Sequence, residues 1–432
     1  MSTVITRFPP SPTGHLHIGS VRTALFNYLY AAKNGGTMVL RFEDTDKERS
    51  KPEFEEDILA GLNWLSIPYT LADNPRQSER GALYQPHIAR LIESGHAYEA
   101  EEGKDGSGKK VVRFKNPNTT LVFTDEIRGE VSFDTTDLGD FVIAKNVDEP
   151  LYHLAVVIDD HEMGVTHVIR GEDHISNTPR QILILEALGF TRPSYAHIPL
   201  ILAPDRSKLS KRHGAVSVNE YQSQGIIAEA LINYLALLGW NPGGEQEIYT
   251  LSELENLFTL ERVHKGGAIF DMEKLVWFNH EHLKRLSDEE FAKRLKHFRH
   301  SDTDPRLIPL IKERAKTLTE AEALIEEYDF LNPVSHTVEL LTQNGKIAAA
   351  DASTHLHALQ ELLGGVADDD FTPERVKEAL WPYAEAQGRG AVLWPLRTTL
   401  SGREKSPDPF TLAALLGKKT VLERIEAAQK VL

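Results

Sequence analysis

Hydrophobic positions near the start of the chain switch between two periods. The β-branched run Val4–Phe8 reads as a strand. It gives way to Ile18, Val21, Leu25, Tyr28, Leu29 and Ala32, which share one face at helical spacing and predict a helix over Ile18–Lys33, stopped by Gly35-Gly36. Met38–Phe42 reads as a second strand and ends in the acidic turn Glu43-Asp44-Thr45-Asp46. A capping box from Ser50 to Glu53 predicts the start of a helix carrying Phe54, Ile58, Leu62 and Leu65. Strand–helix–strand–helix predicts a parallel sheet, which binds ligands at the carboxyl ends of its strands. That rule directs attention to Arg7–Ser20 and Glu43–Asp46.

The texture changes near Glu99. Glu101–Lys110 reads as a glycine- and charge-rich loop, and Val111–Lys115, Thr120–Phe123, Glu130–Phe133 and Phe141–Lys145 as short strands of a small inserted domain. The α/β pattern returns with Ala155–Ile158 and Val165–Ile169 as apolar runs of strand length, a helix over Thr178–Leu188 and the apolar run Ile198–Leu202. After Arg212 the pattern is helical to Leu432, punctuated by Pro305, Pro333, Pro373 and Pro407, with no repeat of solenoid period.

Composition narrows the classes. A chain of 432 residues accommodates two to four domains, and the absence of cysteine excludes disulfides, thiol nucleophiles and thiolate zinc sites. No basic-then-apolar leader opens the sequence and no apolar run approaches the roughly 20 residues of a membrane span, so no membrane association and a cytoplasmic location are expected. The net charge of −16 counts against a broad nucleic-acid surface while leaving room for local basic faces.

Two segments carry candidate chemistry. Pro10-Ser11-Pro12-Thr13-Gly14-His15-Leu16-His17-Ile18-Gly19-Ser20 places small residues, hydroxyls and two histidines between a strand and a helix N-terminus, where free N–H groups and the helix dipole favour an anion. Lys208-Leu209-Ser210-Lys211-Arg212 is a compact cationic loop suited to a polyphosphate. No G-x-x-x-x-G-K-[ST] is present, so the pair points to nucleotide chemistry without a Walker loop.

These segments, together with Arg7-Phe8-Pro9, Arg41-Phe42-Glu43-Asp44-Thr45-Asp46, Asp159-Asp160-His161 and Arg170-Gly171-Glu172-Asp173-His174, resemble the bacterial-type glutamyl-tRNA synthetases of class I. The likeness covers nearly the whole chain, to Trp394-Pro395-Leu396-Arg397 and Ala413–Gly417. Ser20 stands where the class signature has a second histidine, a small residue that the glutamyl branch tolerates. The resemblance implies an α/β Rossmann-like parallel-sheet catalytic domain with a small α+β insertion, followed by an all-α C-terminal anticodon-binding region. It divides the chain into catalytic halves at 1–98 and 151–203, an acceptor-binding insertion at 99–150, a stem-contact region with the lysine loop at 204–303 and the helical region at 304–432.

The implied reaction is ATP-dependent activation of L-glutamate to glutamyl-adenylate, then transfer to the 3′-terminal adenosine of tRNA(Glu). Catalysis of such a step rests on positioning and charge stabilisation. By resemblance His17, Lys208 and Lys211 are catalytic. Pro10, Ser11, Thr13, Gly14, His17, Gly19, Asp173, Leu209, Ser210 and Lys211 hold ATP. Arg7, Ser11, Glu43, Tyr152 and Arg170 hold glutamate, with Arg7 on its side-chain carboxylate and Glu43 on its α-ammonium. Asp46 and Arg49 are acceptor-end candidates. Val156 and His174 fall where some relatives place other pocket residue types. Mg²⁺ is expected with the ATP.

The histidines and carboxylates around His153, Asp159, Asp160 and His174 admit a metal-hydrolase reading, against which strand alternation argues. The cysteine-free, shortened insertion at Tyr98–Arg113 predicts no zinc. Lys284, Arg285, Lys293, Arg294, Lys296 and Arg299 near Trp277 and Phe278, and Lys418, Lys419 and Arg424 further on, are candidate RNA contacts. A monomer is expected. An enzyme that also charges tRNA(Gln), or a tRNA-base-glutamylating relative lacking the helical tail, stay open as alternatives.

Overall fold

The computed structural model describes residues 3–102, 109–210, 212 and 217–432, so the expectations for Lys211 and for the middle of the 101–110 loop lie outside the described residues. Strand β1 (Ile5–Phe8), helix α1 (Ile18–Lys33), β2 (Thr37–Phe42), α2 (Pro52–Trp64) and β3 (Thr70–Arg76) open the chain, with the strands parallel in the order β1-β2-β3. Helix α1 buries Ile18, Val21, Leu25 and Leu29. Its exit needs two glycines: Gly35 takes a φ of +66°, and a Cβ on Gly36 would stand 1.9 Å from the Val4 carbonyl oxygen.

The Ser50–Glu53 capping box does not form. Pro52 occupies the first turn of α2 and holds the preceding Lys51 extended (φ −138°), making Lys51 the N-cap without a side-chain bond; Glu53 instead lies 3.3 Å from the Lys51 ammonium.

After α3 (Gly81–Glu93) come β4 (Ala97–Glu102), β5 (Lys109–Phe114), β6 (Thr120–Asp125), β7 (Gly129–Asp134), β8 (Phe141–Asn146) and β9 (Glu149–Pro150). Glu101 and Lys110 thus sit in paired strands and not in a loop. Strands β4-β5-β8-β9 form an antiparallel sheet, but the β6–β7 hairpin leaves it. The hairpin joins a second, mixed sheet, β10-β11-β6-β7, antiparallel only at β6–β7 and built with α4 (Tyr152–Glu162), β10 (His167–Gly171), α5 (Thr178–Ala187) and β11 (Ser194–Ile198). β10 and β11 are parallel, and β11 meets β6 through Tyr195 and Asp125. Thr166 stitches this sheet to β1: its N–H donates to the Ile5 carbonyl at 2.9 Å and its hydroxyl accepts from the Ile5 N–H at 2.9 Å.

Ala155–Ile158, expected as a strand, lies inside α4. Every residue from Leu154 to Asp160 is buried, so the run shows no helical alternation of apolar and polar positions and mimics an inner strand.

Two compact units emerge, one comprising the chain to Leu286 with Lys316–Thr319, the other Ser287–Ala315 with Glu320–Leu432. The second is helical; its helices Ala349–Gly364, Pro373–Gln387, Arg389–Ser401 and Lys418–Gln429 bury Leu356, Leu359, Val376, Leu380, Leu396 and Ile425. Arg424, expected as an RNA contact, is buried there and donates to the carbonyls of Leu400 and Asn332, a structural role. No described helix is long and apolar enough to cross a membrane.

Candidate active site

A cleft of about 490 Å³ opens at the carboxyl ends of β1 and β10 and at the N-terminus of α1, all within the first unit. Arg7, Pro10, Ser11, His17, Gly19 and Glu43 line it from the N-terminal segments; Tyr152, Arg170, Asp173, Lys208 and Leu209 line it from the later ones. His174 joins this lining; Thr13, Gly14, Ser210 and Val156 do not. Asp46 and Arg49 also lie off the cleft and pair with each other on the surface at 2.6 Å.

Local sequence explains the α1 entrance. His17 is the extended N-cap residue, and its Nδ1 accepts the Gly19 N–H at 3.0 Å. A Cβ on Gly19 would press on that ring nitrogen at 3.3 Å. The Pro10 carbonyl takes the Glu43 N–H at 3.0 Å and the Pro12 carbonyl the Lys51 N–H at 3.0 Å, fixing the turn against β2 and α2.

The floor is a charge network organised by α4. Arg41, fully buried, reaches Asp160 at 2.5 Å, Glu43 at 3.3 Å and Asp159 at 3.8 Å. Arg7 meets the other Asp160 oxygen at 3.4 Å and donates to the Ile169 carbonyl at 3.3 Å. Asp159 also accepts from Gln77, Arg80 and Tyr84 at 2.8–3.1 Å. Burial would raise the Asp160 carboxyl, but Arg41 and Arg7 outweigh it and hold it below the usual range. Glu43 shows the opposite balance: burial drives it up to about 7 despite the pull of Arg41 and Arg7. The acidic residues suspected as metal ligands are therefore engaged with arginines through a helix, which replaces the strand-alternation argument. Among the described residues no group of three histidine, cysteine or acidic side chains could hold a metal ion.

Arg170 is held differently. Its Nε donates to His197 Nε2 at 3.2 Å and its Nη2 to Thr178 Oγ1 at 2.8 Å, while its buried Nη1 has no hydrogen-bond partner among the described residues. Burial lowers its pKa, as expected for a cation with no carboxylate bonded to it. Nearby, burial raises the Tyr152 hydroxyl to about 12 and lowers His174 to about 4, keeping both neutral near pH 7.

At the other end, Lys208 pairs with Asp173 at 2.9 Å. Gly171 makes room for that carboxylate, since a Cβ there would stand 2.5 Å from Asp173 Oδ1. Leu209 is pinned to β12 (Ile201–Leu202) by its N–H on the Ile201 carbonyl at 3.1 Å.

Sequence reasoning missed Arg22, which lines the cleft from α1 and donates to the carbonyls of Pro199 and Leu238. Burial lowers its pKa to about 10. An arginine one turn after Ile18 on the apolar face of α1 is the signal that could have found it. The motif reading gives Arg41 no role; its place at the centre of the buried charge network emerges only from packing.

Against this geometry, residues 3–106 and 99–277 match the family described as "tRNA synthetases class I (E and Q), catalytic domain", and residues 273–429 match "Anticodon binding domain". The glutamate–tRNA ligase of Desulforamulus reducens is 39% identical, over 98% of this chain and 99% of its own length. That of Nitratidesulfovibrio vulgaris is 40% identical, over 99% of each chain. A crystal structure of a glutamate tRNA ligase from Elizabethkingia meningosepticum in complex with its amino acid superposes with a TM-score of 0.86 at 32% identity, covering 99% of both chains.

Proposed function

The chain belongs to the class I glutamate–tRNA ligases, and from that premise we propose how its cleft performs the two steps of the reaction. The α-carboxylate of L-glutamate attacks the α-phosphorus of ATP; the bond to the bridging oxygen breaks and pyrophosphate leaves. A hydroxyl of the 3′-terminal adenosine of tRNA(Glu) then attacks the acyl carbon, and AMP leaves. Two anions meet in the first step, so the protein's work is to place cations and exclude competing geometries.

The observation that carries the residue assignment is the asymmetry of charge at the β1/β10 end. Two buried guanidinium groups, Arg7 and Arg170, share the cleft with one half-neutral carboxylate, Glu43. An amino acid bearing two carboxylates and one ammonium matches that set. In this reading Arg7 takes the side-chain carboxylate, the partnerless Nη1 of Arg170 faces a carboxylate of the same substrate, and Glu43 takes the α-ammonium. Ser11 and Tyr152 complete the wall. A neutral amide in place of the side-chain carboxylate leaves an arginine uncompensated, which favours glutamate over glutamine.

His17 and the Gly19 backbone take the nucleotide at the N-terminus of α1, with Pro10 and Ser11 beside them. Lys208 exchanges Asp173 for the phosphates, and Lys211, outside the described residues, acts with it. Mg²⁺ arrives on the ATP as part of the substrate; no cage for it is built from the described side chains. The anticodon-binding match over residues 273–429 favours tRNA aminoacylation over glutamylation of a tRNA base.

Pyrophosphate exchange tests the reading. It should require ATP, glutamate and tRNA(Glu) together, and Lys211→Ala should slow it by about 10²–10³ while leaving the thermal transition in place. Exchange supported by another amino acid and not by glutamate overturns the substrate; an undiminished rate in Lys211→Ala overturns that residue's role.

A further inference from the structure

Among the described residues no carboxylate bonds to either Arg22 or Arg170 in the cleft, but Arg22 spends both terminal nitrogens on the Leu238 and Pro199 carbonyls, whereas Arg170 keeps Nη1 open. Arg7 and Arg41 both lean on Asp160. Arg170 leans on His197, at the carboxyl end of β11, and His197 leans in turn on Asp125, the last residue of β6. His197 and Asp125 are both fully enclosed.

Donor and acceptor inventory fixes the proton in this relay. Asp125 is ionised: burial alone would raise it, but His197 and the N–H groups of Arg128 and Ile127 hold its pKa below the usual value. A carboxylate only accepts, so His197 Nδ1, 2.6 Å away, must carry a hydrogen. A guanidinium Nε–H only donates, so His197 Nε2, 3.2 Å from it, must present a lone pair. Both ring nitrogens are thereby assigned, and the imidazole is neutral. The His197 backbone N–H on Asp125 at 3.0 Å and Thr178 Oγ1 at 3.1 Å from Nε2 lock the ring from two further sides.

We propose that His197, oriented by Asp125, is a positioning residue that aims Arg170 at the substrate carboxylate while leaving the guanidinium charge unneutralised. A carboxylate in the place of His197 would hold Arg170 as firmly but would compete with glutamate for its charge. The neutral ring transmits position and withholds countercharge, and the Nη1 left without a partner is the group the substrate completes. Asp125 comes from the β6–β7 hairpin of the inserted segment, so the insertion braces the amino-acid pocket from behind.

This inference rests on Arg170 binding glutamate, and the experiment separates the two claims. Asparagine at 197 keeps a polar group near Nδ1, beside Asp125, and loses the acceptor for Arg170; glutamine places an amide oxygen near Nε2. His197→Asn should raise the KM for glutamate about tenfold, the scale of one charge-assisted hydrogen bond, with the KM for ATP within twofold of the parent. His197→Gln should recover most of that loss. Arg170→Ala should raise the glutamate KM by more than either. If Arg170→Ala moves it and His197→Asn does not, or if His197→Asn moves both KM values equally, the positioning role is overturned and the pocket reading stands. If Arg170→Ala leaves the glutamate KM unchanged, the pocket reading falls and this inference with it.

Discussion

Glu43 carries a burial cost that, in the proposed reading, the ammonium of glutamate would offset. Its carboxyl is lifted from 4.5 to about 7 because burial outweighs Arg41 and Arg7. The free protein at pH 7 therefore holds it roughly half protonated, and an ammonium can pair only with the ionised half. Binding a cation selects the carboxylate, so affinity for glutamate should fall as the pH drops through 7. The KM for glutamate should rise from pH 8 to pH 6, approaching a factor of about ten per unit on the acid side. Glu43→Gln should have a high, pH-flat KM. A flat profile in the parent between pH 6 and 8 would remove Glu43 from the ammonium site. His174 and Tyr152, displaced to about 4 and about 12, contribute no charge change in that window.

Elements decide where such residues can stand, and the turn between α1 and β2 is the most constrained of them. Gly36 passes under Val4 so closely that a methyl group would meet its carbonyl oxygen at 1.9 Å, and the Thr37 N–H bonds to that same oxygen at 3.0 Å. Gly36→Ala should cost about 1–3 kcal/mol of stability, read as a lowered denaturation midpoint, because β1 and β2 must move apart. An unchanged midpoint would show that the turn relaxes freely. The sequence made α1 legible because Ile18, Val21, Leu25 and Leu29 recur at helical spacing with Ser20, Thr23 and Asn27 between them, and its predicted bounds match those observed. It hid α4 because that helix is buried on all sides from Leu154 to Asp160, which erases the period. The same loss of contrast hid the relay behind Arg170. Asp125 and His197 lie 72 positions apart, and a histidine inside an apolar strand carries no local mark of its partner. The residues lining the cleft were legible as motifs because loops at strand ends tolerate unusual composition, whereas their buried supports are set by tertiary packing alone.

At the scale of the whole chain, a net charge of −16 must coexist with binding a polyanion, so the cations that remain for RNA matter more than their number. Several candidates are committed within the protein. Lys284 pairs with Glu281 at 2.6 Å, Arg294 with Glu290 at 3.0 Å and Lys296 with Asp302 at 2.9 Å. Lys418 donates to the Val366 carbonyl at 2.6 Å. The Lys296–Asp302 pair is exposed, so it contributes little to stability and can be exchanged for a phosphate at small cost, whereas Lys284, Arg294 and Lys418 are half-buried. Arg424 cannot be exchanged in that way. It is buried between the carbonyls of Leu400 and Asn332, and its lowered pKa reflects that burial. Removing it strands the buried Leu400 carbonyl, worth about 1–3 kcal/mol when left unmet, and releases the more accessible Asn332 carbonyl. Arg424→Ala should therefore lower the melting temperature of the helical unit and leave the KM values for glutamate and ATP unchanged, since the cleft lies wholly in the other unit. Lys419→Ala, at a site 89% exposed, should do the reverse: no change in melting, and a tRNA KM whose salt dependence is shallower if that lysine meets a phosphate. An Arg424→Ala protein that melts normally but binds tRNA poorly would return Arg424 to the RNA surface.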